Sequence, residues 1–112
     1  MNHRERFLDY LRLYEAKDLA RITDMFAENI VLRDWNISVK GKAAALEETA
    51  ANFANAKSLR IVPLHVYERE GAVAGELHIT VDGSVELYVV DVLEFDAEGR
   101  IAAIRAYLGR AD

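Results

Sequence analysis

The N-terminal third of the chain carries a helical hydrophobic pattern and then an extended one. Apolar side chains first recur at the i, i+3, i+4, i+7 spacing of one helix face: Phe7, Tyr10, Leu11 and Tyr14. This spacing predicts a first helix over about residues 3–16, with Asn2 and Glu5 as its capping residues. A second helix is predicted to begin after a cap at Asp18, and its apolar residues are Leu19, Ile22 and Phe26. The apolar run at residues 30–32 predicts a short strand.

A third helix and a series of strands are predicted for the remainder. Gly41 precedes an Ala-rich stretch at residues 42–56, and its composition favours a helix. After it the hydrophobic period changes from about 3.6 to 2, and turn-forming residues divide the chain into four strands. Asp-Gly is a hairpin signal, so residues 72–81 and 84–95 are predicted to be antiparallel neighbours. Pro63 is the one proline and is compatible only with an edge strand or a bulge.

The order of these elements indicates the fold class. Helices first and a strand meander afterwards are typical of an α+β protein in which the helices cover one face of an antiparallel sheet. The 112 residues show no internal repeat and no linker-like segment. We therefore predict a single domain over residues 1–112: a cone-shaped α+β barrel whose three N-terminal helices pack on a curved, mainly antiparallel sheet.

Composition and charge exclude several classes of function. Cysteine is absent, which excludes disulfides, thiolate metal sites and cysteine nucleophiles. The net charge is −5 and the basic residues are scattered, so no nucleic acid and no anionic membrane surface is expected as a partner. No apolar run of membrane-spanning length and no secretory leader is recognised, and a cytoplasmic location is expected.

Metal ions and nucleotide cofactors are not expected either. The three histidines, His3, His65 and His78, are dispersed and show no metal-ligand spacing. Glu76 and His78 share one face of a predicted strand, which we interpret as a solvated face. The chain has no phosphate loop, dinucleotide fingerprint or nucleophile elbow, because its glycines mark turns.

An acid occupies the predicted inner face of the strand at residues 84–95. Side chains alternate between the faces of a strand, and one set reads Val85, Leu87, Val89, Asp91, Leu93 and Phe95. An unpaired ionised carboxylate there would cost several kcal/mol, and burial raises a carboxyl pKa by roughly 3 to 5. Asp91 is therefore a candidate neutral acid that donates a hydrogen bond. The alternatives are that Asp91 pairs with Arg105 or that a bulge turns it outward.

Two further residues are candidates for chemistry. Asp34 shares its strand parity with Ile30 and Leu32, which predicts a position near the mouth of an interior pocket. The alternative interpretation is a strand-end Asp that caps a turn. Tyr10 lies in the middle of the apolar face of the first helix, where a buried phenol needs a hydrogen-bond partner. Its alternative interpretation is an ordinary core tyrosine.

Two blocks of the sequence match a known family by position. The first runs without a gap from Tyr10 to Asp34, 24 residues apart, and includes Lys17, Asp18, Met25, Phe26 and Ala27. The second comprises Val90–Asp96, Gly99–Ile101 and Ala106–Tyr107. In these blocks the chain resembles the steroid Δ5-3-ketoisomerases, members of the nuclear transport factor 2-like (SnoaL-like) superfamily, whose fold is a cone-shaped barrel.

The resemblance implies a reaction and a set of roles. It implies an isomerase that moves a double bond beside a ketone in a steroid-like apolar substrate, with Asp34 as the general base. Tyr10 and a neutral Asp91 would donate hydrogen bonds to the dienolate oxygen. No cofactor and no metal is implied, and the partners are a hydrophobic small molecule and a second subunit, because relatives dimerise through the outer face of the sheet.

Departures from the family pattern leave the substrate and the activity open. Phe26 and Thr49 stand where the family has tyrosines that support the oxyanion tyrosine, Trp35 follows the base in place of proline, and Leu108 replaces a pocket tryptophan. The alternatives are a polyketide cyclase-like enzyme and a non-catalytic domain for binding small hydrophobic ligands or for dimerisation.

Overall fold

A computed structural model describes residues 2–110 as three helices and six strands. The helices are α1 (His3–Glu15), α2 (Leu19–Met25) and α3 (Lys42–Asn55). The strands are β1 (Phe26–Arg33), β2 (Ser38–Lys40), β3 (Leu59–Arg69), β4 (Ala72–Val81), β5 (Val85–Phe95) and β6 (Ile101–Leu108). They form one curved sheet in the order β2-β1-β6-β5-β4-β3, and only the β1–β6 pair is parallel. The helices pack on this sheet, so the predicted α+β class is confirmed.

The first two helices begin at the predicted caps. The Asn2 side chain accepts a hydrogen bond from the Glu5 amide at 2.8 Å, and Glu5 accepts one from the Asn2 amide at 3.3 Å. The Asp18 carboxylate accepts a hydrogen bond from the Arg21 amide at 3.1 Å. These bonds satisfy amides that have no partner within the first turn of a helix.

The predicted boundaries were wrong at one end of the sheet. Phe26 was expected on the second helix, but its backbone is extended and it is the first residue of β1, which is therefore longer than residues 30–32. Phe26 is fully buried and pairs with Ile101 of β6, so a long-range contact overrides the local helical pattern. Strand β2 was not predicted, because three residues are too few to show a period.

The C-terminal meander has the predicted order of strands and hairpins. The pairing of β4 with β5 leaves a loop of three residues, Asp82–Ser84, between Val81 and Val85, one more than expected. Asp82 and Gly83 both adopt positive φ, as the central residues of a type I′ turn do, and the Ser84 amide donates to the Val81 carbonyl at 3.2 Å. Pro63 lies in the edge strand β3 beside a register shift, so the prediction for this proline is confirmed.

The hydrophobic core lies between the helices and the inner face of the sheet. Its largest fully buried side chains include Phe7, Ile22, Phe26, Ile30, Leu77 and Leu93. Helix α1 packs closely on β4 at Gly75, where an added Cβ would lie 2.6 Å from Cζ of Phe7. Because Gly75 has no side chain, the Phe7 ring can lie against β4, and this contact sets the distance between α1 and β4. Within residues 2–110, no helix is long and apolar enough to cross a membrane.

Candidate active site

One end of the barrel encloses a cavity of about 300 Å³. Its walls are the inner face of the sheet, helices α1 and α3, and the loop that follows β1. The sheet contributes apolar side chains: Leu59, Ile61, Ile79, Leu87, Val89 and Ile104. The polar groups on its surface include Tyr10, Tyr14, Asp34, Glu48, Asn52 and Asp91. An apolar wall with a few convergent polar groups is typical of a site for a small organic ligand.

Asp91 lies on the inner face of β5, as its parity predicted. Its register partners are Gly75 on β4 and Ala106 on β6, so small neighbours leave space beside its carboxyl group. Both ladders are regular at this position, which rules out the bulge. Arg105, the other alternative, belongs to the opposite face and donates to Glu94 at 2.5 Å. Within residues 2–110 the Asp91 carboxyl group therefore has neither an ion-pair partner nor a hydrogen-bond partner.

Burial and the charge of Asp34 raise the pKa of Asp91 to about 7. Asp91 is half-buried, and its carboxyl group faces the cavity. Transfer into such an environment disfavours the ionised form, and a nearby carboxylate disfavours it further. Asp91 is therefore mainly protonated below about pH 7.

Tyr10 is a buried residue whose hydroxyl group reaches the cavity. It comes from the middle of α1, is 4% exposed, and its ring packs between those of Tyr14 and Phe26. No residue of the described chain accepts or donates a hydrogen bond at this hydroxyl, and it is not sealed in the core. Burial raises the Tyr10 pKa well above its usual value, and Tyr14 and Asp91 raise it further. The phenol therefore stays protonated and can donate to a molecule in the cavity.

Asp34 caps a turn and also lines the cavity. It follows β1, and its Oδ1 accepts hydrogen bonds from the amides of Asn36 at 2.7 Å and Ile37 at 2.9 Å. Its own amide donates to the Ile37 carbonyl at 3.0 Å. The turn-capping interpretation is therefore correct, but it does not exclude a role in chemistry. Both of these bonds to the carboxylate use Oδ1, which leaves Oδ2 as the oxygen for a ligand.

The sequence analysis missed a second polar group at the mouth of the cavity. The Asn52 amide of α3 donates to the Tyr14 hydroxyl at 3.0 Å, and Glu48 lies one helical turn before Asn52. Burial raises the pKa of Tyr14, the Asn52 bond lowers it, and Asp91 and Asp34 raise it. The i, i+4 spacing of Glu48 and Asn52 was a usable signal, but it is also the spacing of an ordinary solvated helix face.

The residues that depart from the ketosteroid isomerase pattern give Tyr10 no polar support. Phe26 offers only its ring, 6.3 Å from that of Tyr10, and Thr49 donates to the Ala45 carbonyl at 2.8 Å within its own helix. Trp35 is 44% exposed and lines the cavity. Leu108 lies outside this cavity, beside a separate surface hollow. The hydroxyl of Tyr10 is consequently held by the packing of its ring alone.

The described part of the chain shows no cluster of metal-ligating side chains. Within residues 2–110, no three His, Asp or Glu side chains converge closely enough to hold a metal ion. His78, for example, bonds to Glu86 at 2.9 Å and stacks on Tyr88 on the outer face of the sheet.

Several solved structures share this fold at low sequence identity. The epoxide hydrolase/cyclase-like enzyme SalBIII, involved in pyran ring formation in the polyether salinomycin, has a TM-score of 0.83 at 24% identity over 96% of this chain and 90% of its own. A candidate ketosteroid isomerase from Kribbella flavida has a TM-score of 0.84 at 14% identity over 98% and 79%. An epoxide hydrolase of the LEH-like type from M. tuberculosis has a TM-score of 0.76 at 16% identity over 89% and 77%.

Sequence comparison identifies the family. No protein of curated function matches the chain. The sequence model of the SnoaL-like domain matches residues 6–104, which include most of α1, the whole of β5 and all three candidate residues, Tyr10, Asp34 and Asp91. This match covers most of the chain, and the chain has the same fold as the solved structures above. The chain therefore belongs to the SnoaL-like domain family.

Proposed function

We propose that this protein is a cofactor-independent isomerase that moves a carbon–carbon double bond beside a ketone in an apolar, steroid-like substrate. The observation that carries this proposal is the state of two hydrogen-bond donors. The Tyr10 hydroxyl and the protonated Asp91 carboxyl line one apolar cavity, and neither has a partner within residues 2–110. Unpartnered donors in an apolar cavity are suited to stabilise an oxygen on which negative charge develops.

Asp34 supplies the complementary group, a general base. Its carboxylate is held in place by the turn that it caps, so it can take a proton without first being ordered. Its charge also helps to keep Asp91 protonated, because the pKa of Asp91 rises in response to it. The raised pKa of Asp91 suits it to the role of the acid beside a carboxylate base, which is the arrangement that allows acid and base roles at a single pH.

The reaction that follows from these roles is balanced without a further reagent. Asp34 removes a proton from the carbon between the carbonyl and the double bond, and the electron pair of that C–H bond moves toward the carbonyl oxygen. Tyr10 and Asp91 donate hydrogen bonds to the resulting dienolate oxygen. The same proton then returns from Asp34 to the carbon at the far end of the former double bond, so the product is the conjugated isomer.

The proposal is tested by two measurements. Conversion of an unconjugated steroid enone to its conjugated isomer is followed by absorbance, and Asp34→Asn is expected to lower kcat by roughly 10²- to 10⁴-fold because the base is lost. Binding of 2-naphthol, a mimic of the enolate oxygen, is expected to weaken in both Tyr10→Phe and Asp91→Ala.

The exposed Asp24 provides the matched control for the charge change. Asp24→Asn should leave turnover and binding unchanged. Turnover that survives in Asp34→Asn would remove this residue from the mechanism, and naphthol binding that is indifferent to both Tyr10→Phe and Asp91→Ala would exclude the proposed oxyanion site.

A cyclase-like reaction is the second candidate. Two observations favour it: the charge of Asp34 raises the pKa of Asp91, and the fold is similar to that of the epoxide hydrolase/cyclase-like SalBIII. A carboxylate and a protonated carboxyl group could activate a nucleophile and protonate a leaving oxygen across the same cavity. Product analysis separates the two reactions, because cyclisation forms a ring bond and isomerisation only moves a double bond. Tight binding of an apolar ligand without any product would instead indicate the non-catalytic alternative.

A further inference from the structure

The mouth of the cavity carries polar groups that the proposed reaction does not use. Glu48, Asn52 and Asn55 lie one turn apart on α3, and all three line the cavity. Tyr14 faces them from α1, one turn after Tyr10. Glu48 is half-buried whereas Asn52 and Asn55 are exposed, so this group of side chains forms the rim rather than the floor.

Tyr14 and Asn52 form an ordered pair with unused hydrogen-bonding capacity. Their side chains are joined by one hydrogen bond of 3.0 Å. A phenol and an amide together can make several more, and whichever way the amide is turned the pair keeps at least one free donor and one free acceptor. The Tyr14 ring is fixed by an edge contact with Phe53 at 4.8 Å and a tilted contact with Tyr10 at 5.8 Å. The pair is thus ordered before any ligand arrives.

The charge of the rim limits what can bind there. Glu48 has no ion-pair partner within the described residues, and none of the described residues that line the cavity is Lys, Arg or His. Asp34 adds a further acidic group to the same space. An anionic group at the mouth would meet like charge with no cation among the described lining residues to compensate it.

We propose that Glu48, Asn52 and Tyr14 form a mouth subsite that binds an uncharged hydroxyl group of the substrate. A hydroxyl donates one hydrogen bond and accepts others, so it can donate to Glu48 while it accepts from the Tyr14–Asn52 pair. An ammonium group has no lone pair for the Tyr14–Asn52 donor, and a carboxylate has no proton for Glu48. The orientation of the bound substrate rests on the proposed function, which places the ketone at the deep end of the cavity. The mouth subsite then places a hydroxyl group at the opposite end of the substrate.

Three naphthalenes test the subsite through their dissociation constants. The parent probe 2-naphthol has one hydroxyl, 2,6-dihydroxynaphthalene adds a second at the opposite end, and 6-hydroxy-2-naphthoate replaces that second hydroxyl with an anion. We expect the diol to bind about 5- to 10-fold more tightly than 2-naphthol, the gain typical of one or two net hydrogen bonds. We expect the naphthoate to bind more weakly than 2-naphthol.

Variants of the rim residues test whether the mouth subsite causes these differences in affinity. Tyr14→Phe keeps the aromatic contacts, and Asn52→Leu changes an exposed side chain. Each should abolish the advantage of the diol, which is measured as the ratio of the dissociation constants of 2-naphthol and the diol in the same variant. Glu48→Gln should strengthen naphthoate binding, whereas Glu47→Gln, which makes the same charge change at the adjacent exposed position, should not.

The outcomes separate this proposal from the proposed function. A diol that binds no better than 2-naphthol, an advantage that persists in both Tyr14→Phe and Asn52→Leu, or failure of all three ligands to bind would overturn the mouth subsite. A diol advantage that depends on Asn52, with binding indifferent to Tyr10→Phe and Asp91→Ala, would keep the mouth subsite and refute the oxyanion site.

Discussion

Asp91 combines a buried position with an unpaired acid. The inner face of β5 places it among apolar side chains, and the charged group that raises its pKa is another acid, Asp34. Proteins neutralise such a group by protonation more readily than by tolerating a buried charge. An acid that is kept protonated at this position makes the interior of the barrel chemically different from an ordinary core.

The stability of the protein is expected to depend on pH through Asp91. Its pKa is about 7 in the folded protein and 3.8 in the unfolded chain, so between these values the folded state binds more protons. The free energy of unfolding should therefore fall as the pH rises from 4 to 7 and then level off. The loss is at most about 4 kcal/mol. Asp91→Asn removes this ionisation and should be more stable than the unsubstituted protein above pH 7.

Urea denaturation at pH 4, 6 and 8.5 measures this effect. Asp24→Asn, a change at an exposed carboxylate, is the control and should retain the pH dependence of the unsubstituted protein. If the free energy of unfolding changes with pH in the same way in Asp91→Asn and in the unsubstituted protein, Asp91 has an ordinary pKa.

Helix α1 is the element that positions the Tyr10 donor. It carries Phe7, Tyr10 and Tyr14 on one face, and the Phe7 ring occupies the space left by Gly75. Gly75 is also the register partner of Asp91, so the same position of the sheet sets the height of α1 and the location of the acid. The relative placement of Tyr10 and Asp91 thus depends on a glycine that touches no ligand.

Gly75→Ala is expected to destabilise the protein by about 1–3 kcal/mol through overpacking against Phe7. It should also weaken 2-naphthol binding, because a displaced α1 carries Tyr10 with it. The double variant Phe7→Leu/Gly75→Ala provides the control, since the smaller side chain makes room for the new methyl group. Urea denaturation should then show a coupling energy of at least about 0.5 kcal/mol. Strictly additive effects of the two changes would mean that Phe7 and Gly75 do not interact.

The whole molecule presents an outer sheet face opposite the helices. Tyr67 and Tyr107 are about half exposed on this face, and Tyr88, Val90 and Val92 lie on its central strand. We propose that this face pairs with a second copy of the chain, because a two-fold axis would cover its aromatic and aliphatic groups at once.

A homodimer predicts a solution mass of twice 12.6 kDa at micromolar concentration. Light scattering coupled to size-exclusion chromatography measures this mass. Val90→Glu, which places a charge at the centre of the face, should yield the monomer, whereas Glu47→Gln on the opposite side should remain dimeric. A monomeric mass for the unsubstituted protein would contradict the proposed interface.

Much of the fold was predictable because its determinants are local. The helical spacing of α1, the capping side chains of Asn2 and Asp18 and the Asp82–Gly83 turn each act within a few residues of the chain. Strand parity likewise placed Asp91 on the inner face, since alternation is a property of any extended backbone. The boundary at Phe26 was missed because burial against distant elements decides it, and β2 was missed because it is too short to show a pattern.

The sequence by itself determined the α+β order of elements and the caps of α1 and α2, and strand parity predicted the inward direction of Asp91. Only the tertiary structure decided which groups meet. Arg105 pairs with Glu94, so Asp91 has no ion-pair partner among the described residues. Asp34 both caps a turn and lines the cavity, and Tyr14 is hydrogen-bonded to Asn52, 38 residues away in the chain. Local interactions can be seen in a sequence because they recur at fixed spacings, whereas the environment that changes a pKa or leaves a hydroxyl without a partner is assembled from distant segments.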